Sequence, residues 1–88
     1  MRFTYDLAVD ALHITVRDSP SVLRTEETSS GVHVDLDEDG HVCGIEILAA
    51  SSHADWDMTG LVWRYSLDIN TAAFLIVLEE RRSLFRFR

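Results

Sequence analysis

Eighty-eight residues are room for one domain, and 47% hydrophobic with 26% charged residues and a single proline exclude a disordered or low-complexity chain. Fifteen acids stand against eight bases, all of them arginine, and the net charge of −7 argues against nucleic acid and anionic membrane surfaces as partners. One cysteine excludes an intramolecular disulfide and fits a reducing, cytoplasmic setting. The N-terminal stretch carries acids where a signal peptide needs an apolar segment, and the run Ala72–Leu78 is too short to span a bilayer.

The hydrophobic period divides the chain. Residues 1–56 hold three arginines and eleven acids, a net of −8, whereas residues 57–88 hold five arginines and four acids, a net of +1. Upstream, short β-branched and aromatic runs are separated by turn residues, the pattern of strands. Arg2–Tyr5 is the first. Leu12, Ile14 and Val16 alternate with His13, Thr15 and Arg17 in a half-buried second, and Asp18–Ser21 is a turn. Val22–Glu27 is polar enough to lie at a sheet edge. Val32, Val34 and Leu36 alternate with His33 and Asp35 in a fourth strand, and Val42–Leu48 returns as a fifth after a tight turn at Asp37–Gly40. The expectation is an antiparallel β-meander of about five strands.

After a small polar linker, Ala49–His53, the pattern becomes helical. Asp57 or Thr59 caps a helix that ends near Ser66–Asp68, and Asn70 or Thr71 caps a second helix running to about Arg82. Short apolar runs are ambiguous, so Phe74–Glu79 and Leu84–Phe87 also fit strands. The fold class expected is α+β, one domain with a β core over 1–51 and a helical extension over 52–88.

Residues Asp35 to Glu46 match the twelve-residue calcium loop: acids at Asp35, Asp37 and Asp39, then Gly40, Val42 and Glu46. The flanking segments have strand period, whereas that loop needs a helix on each side. A hairpin turning at Glu38–Asp39 pairs Leu36 with His41 and Val34 with Cys43, and carries Glu46 about 20 Å from the tip at about 3.3 Å per residue. The acids then form a solvated tip, with weak cation binding at Asp35, Asp37, Asp39 and Glu46 as the alternative. No cofactor is expected.

Two blocks carry a family resemblance. Tyr5, Asp6, Asp10, Ala11, Leu12 and Ile14 form a spaced pattern that resembles the opening of small bacterial YuzE-like domains of unknown function. Gly31–Leu48, with Asp35–Gly40 and Gly44–Leu48 inside it, resembles that family's closing hairpin. The resemblance covers about residues 1–51. His13 replaces a usual aromatic and Cys43 a usual aliphatic residue. It implies the sheet and the hairpin, and no catalytic residue.

Other chemistry is sparse. His13, His33, His41 and His53 lack metal-ligand spacing, although His33 and Asp35 share a strand face with Glu46 near them. Cys43 lies among aliphatic residues in an acidic region, unfavourable for a nucleophile. Asp6 and Asp10 bracket the first turn, where aspartate usually bonds its own backbone. Asp57–Thr71 has the rhythm of a helix-turn-helix, but the following helix offers apolar residues instead of base-reading ones. Phe74, Leu75, Ile76, Val77 and Leu78 are consecutive, so a helix there is apolar all round. Its uncovered side predicts a homodimer through Phe74, Leu75, Val77 and Leu78, unless Trp56 and Trp63 cover it. The reading is a non-enzymatic interaction or self-associating module, possible inhibitor of a basic partner such as a toxin-like RNase. The alternative is a small-ligand or metal site, or an enzyme, on the sheet face around His33, Asp35 and Glu46.

Overall fold

The structure, a computed structural model, describes residues 1–18, 21–52 and 57–81. Pro20 of the expected turn, His53, Trp56, the helix end expected near Arg82 and the strand alternative at Leu84–Phe87 lie outside them. The chain divides into two compact units, Met1–Ala49 and Ala50–Arg88.

The first unit is a five-stranded antiparallel sheet: β1 (Arg2–Asp6), β2 (Ala11–Thr15), β3 (Arg24–Ser29), β4 (Val32–Leu36) and β5 (Val42–Leu48). The strand order β1-β2-β5-β4-β3 departs from that of a simple meander. The strands' polarity accounts for this. β5 is buried along almost its whole length and takes the centre, while the polar β3 and the exposed β1 form the edges. Strand β2 therefore pairs with β5, joining the first hairpin to the β3-β4-β5 run.

Side-chain alternation gives the sheet two unlike faces. Leu12, Ile14, Val32, Val34, Leu36, Val42, Ile45 and Ile47 are all buried, with exposures from 0% to 4%. They sit opposite one another across the strands, Val34 facing Ile45 and Ile45 facing Ile14. The register differs from the sequence expectation: Leu36 pairs with Val42 and Asp35 with Gly44, so Val34 does not face Cys43. Cys43 is an extra residue, a bulge just after the turn, and its thiol donates to the Asp35 carbonyl at 3.3 Å.

The second unit holds α1 (Met58–Tyr65) and α2 (Ile69–Glu80). Asp57 caps α1, accepting from the Gly60 amide at 2.8 Å, and Ser66 ends it in a left-handed conformation. Asp68 caps α2, accepting from the Thr71 amide at 2.7 Å. Asn70 and Thr71 thus lie inside the helix, because Asp68 presents its carboxylate one turn earlier. Phe74–Glu79 is helix, not strand. The two helices are linked where the Met58 amide donates to Glu79 Oε1 at 2.9 Å. Among the described residues no helix is long and apolar enough to cross a membrane.

Candidate functional site

Polar side chains are gathered on the other sheet face by the same alternation that builds the apolar one. The register places Thr4, His13, Glu46, His33 and Glu27 in one row across all five strands. A second row runs through Arg2, Thr15, Gly44, Asp35 and Thr25. The expected grouping of His33, Asp35 and Glu46 on one face is therefore present, with His33 directly opposite Glu46 and Asp35 one row away. His33 Nε2 lies 3.6 Å from the Glu27 carboxylate, and its buried Nδ1 makes no hydrogen bond.

Gly44 is the low point of this face. A Cβ built on it would lie 3.1 Å from Asp35 Oδ2 and 3.5 Å from His13 Nε2. A glycine inside an otherwise apolar strand marks such a close approach, and this was the signal available in the sequence. Thr25 Oγ1 donates to Asp35 Oδ1 at 2.6 Å and fixes the carboxylate so that Oδ2 points over the glycine. A cleft of about 250 Å³ lies here, lined by His13, Thr15, Arg17, Asp35, Cys43 and Gly44 among others. Burial, reinforced by the nearby Asp35 and Asp37 carboxylates, pushes the Cys43 thiol up from its ordinary value, so it is protonated and a poor nucleophile at neutral pH. Sequence spacing does not join His13, Thr15 and Gly44 to Asp35, because the β4–β5 pairing sets Gly44 against Asp35 and the β2–β5 pairing brings β2, with His13 and Thr15, alongside.

The acidic tip is a separate structure. Asp37 Oδ1 accepts from the amides of Asp39 and His41, both at 2.9 Å, and Gly40 adopts φ 79°, a conformation that favours glycine. Those amide bonds, that of His41 foremost, hold the Asp37 carboxyl below its ordinary value, and Arg17 adds an ion pair at 3.7 Å. Asp37, Asp39 and His41 bring one ligand atom each within 4.8 Å of one another. Asp35 and Glu46 are not in that group: Asp35 bonds Thr25 in the sheet, and Glu46 stands in β5 opposite His33. The calcium-loop spacing is thus spread along a hairpin.

Asp6 and Asp10 also have structural partners. Asp6 accepts from the Ala8 amide at 3.0 Å, and Asp10 accepts from the Tyr5 hydroxyl.

On α2 the structure divides the residues expected to dimerise. Leu75 and Leu78 are buried within the chain at 0% and 7% exposure, and Phe74 is half-buried. Val77 is exposed, together with Ile69, Ala73 and Ile76. Trp63 projects into solvent at 81% exposure, so it does not cover a neighbour as one expectation had it.

A comparison with curated proteins and with solved structures finds no match. A family model does match, over residues 2–51, the span that carries the sheet, the cleft and the acidic tip. The chain belongs to the family described as Protein of unknown function (DUF2283).

Proposed function

We propose that this chain is a non-enzymatic interaction module that self-associates through the exposed stripe of α2. The observation that carries the reading is the spacing of that stripe. Ile69, Ala73, Ile76 and Val77 recur at intervals of a helical turn, while Thr71, Leu75 and Leu78 are buried on the other side. A helix burying one apolar face normally turns a mostly polar one to water, whereas the exposed side of α2 is apolar at Ile69, Ala73, Ile76 and Val77 and polar at Asn70 and Glu80 near its ends. Two such stripes packed about a twofold axis hide each other, the commonest closed arrangement for soluble oligomers. Of the residues expected to dimerise, Val77 keeps that role, and Leu75 and Leu78 support the helix from within. The YuzE-like resemblance of the sheet, which implies no catalytic residue, is compatible with this role.

Light scattering at micromolar concentration tests it. The expected species has twice the monomer mass, and Ile76→Glu with Val77→Glu reduces it to the monomer without loss of helical circular dichroism. A wild-type monomer over the whole concentration range refutes self-association. The acidic half of the chain, net −8 over residues 1–56, then favours the second reading, a basic protein partner that this chain inhibits.

A further inference from the structure

We propose that the cleft over Gly44 is a binding site for a small primary amine in its ammonium form. This proposal is independent of α2, since every residue it uses lies in the sheet unit. Three acceptors lie around the side-chain position that Gly44 leaves empty: Asp35 Oδ2 at 3.1 Å, His13 Nε2 at 3.5 Å and the Ile14 carbonyl at 3.6 Å, with Thr15 lining the same cleft. A primary ammonium has three N–H donors, and an imidazole whose proton sits on Nδ1 accepts at Nε2.

Charge favours the same class of ligand. Arg17 at the cleft is turned to Asp37, and Asp18 is paired with Arg2 at 3.1 Å. Among the described residues the Asp35 carboxylate bonds a neutral hydroxyl, that of Thr25, and stands in no ion pair. Among the described residues His13 and Asp35 form no ion pair with each other, although both border the same gap. A donor seated between them completes both. A metal ion is the weaker fit, because among the described residues the group of three ligating side chains lies at the hairpin tip, not in the cleft. The cleft's 250 Å³ is below the roughly 300–1,000 Å³ of drug-sized sites and suits a short amine.

Gly44→Ala isolates the site. Its methyl group enters the gap and keeps all the acceptors, although Asp35 Oδ2, 3.1 Å away, must give by a few tenths of an ångström. Backbone amide spectra of the full chain are titrated with ethanolamine hydrochloride, and with tetramethylammonium chloride at equal ionic strength as the probe that has charge but no N–H donor. The expected result is saturable millimolar binding of ethanolamine, with shifts centred on His13, Gly44 and Asp35 and none there from tetramethylammonium. Gly44→Ala and Asp35→Asn, each checked for an unchanged fold by the remaining spectrum, weaken it at least about tenfold. Absence of saturable shifts overturns the proposal, as does equal response to tetramethylammonium or undiminished binding by a folded Gly44→Ala. Saturable binding of zinc chloride at the cleft with no response to ethanolamine overturns it in favour of a metal site.

Discussion

The Tyr5 hydroxyl donates to the Asp10 carboxylate across the loop between the first two strands, and it does so to a residue held at φ 55°. Both residues belong to the first of the two blocks that carried the family resemblance. Their spacing serves a hairpin: the left-handed backbone at Asp10 turns the chain, and the phenol from β1 satisfies a carboxylate that is only 6% exposed.

Substitutions at Asp10 separate these two contributions. Asn tolerates the left-handed conformation and keeps an acceptor, so Asp10→Asn is expected to cost less than about 1 kcal/mol. Ala loses the acceptor and meets the backbone penalty, and Asp10→Ala is expected to cost about 2–3 kcal/mol. Urea unfolding measures both. An alanine variant as stable as the asparagine variant would show that the loop geometry does not depend on this residue.

The two faces of the sheet predict opposite tolerances. Ile45 is 1% exposed between Ile14 and Val34, and Ile45→Ala is expected to cost about 2–5 kcal/mol. His33→Ala, on the polar face, should cost less than about 1 kcal/mol. Equilibrium denaturation of the two variants checks the ranking, and its reversal would mean a register displaced by one residue.

Calcium should find no tight site. The Asp37 carboxylate is engaged by two backbone amides, and Glu46 is held in β5 away from the tip. Calorimetric titration is expected to show no dissociation constant below about the millimolar range, with Glu46→Gln unchanged. Micromolar binding abolished by that substitution would contradict the hairpin.

Acid sensitivity follows from the same aspartate. The folded chain holds the Asp37 carboxyl below its ordinary value of 3.8, first through the His41 amide. A group lowered by folding contributes stability above its unfolded value, and the contribution is lost as pH falls through the folded one. Asp37→Asn should therefore be less stable than the parent at pH 7, with the gap closing below about pH 4. Denaturation midpoints at the two pH values decide; a gap that widens in acid has the wrong sign for this mechanism.

Much of this architecture is legible in the residues, and where legibility fails the cause is nonlocal. Alternation alone places Val32–Leu36 and Val42–Leu48 at their observed bounds. The third strand begins at Arg24 instead of Val22, although the Leu23 amide still bonds the Leu36 carbonyl at 2.8 Å. The strand order is not legible, because the pairing of Ala11 with Leu48 joins residues far apart in the chain. The bulge at Cys43 is hidden for another reason: it keeps the apolar pattern while adding a residue. The candidate cleft inherits both blind spots, since Gly44 meets His13 only through the β2–β5 pairing and meets Asp35 only through the bulged register.

The edge strand β3 contains no aliphatic or aromatic residue, only Arg24, Thr25, Glu26, Glu27, Thr28 and Ser29. A second copy of this strand added antiparallel to the rim in the register that pairs its whole length would set Glu26 against Glu27. Like charges opposed across strands are destabilising, and an edge so composed is a poor template for continued growth. The polar, acidic composition of β3 thus weighs against in-register extension of the sheet past this edge.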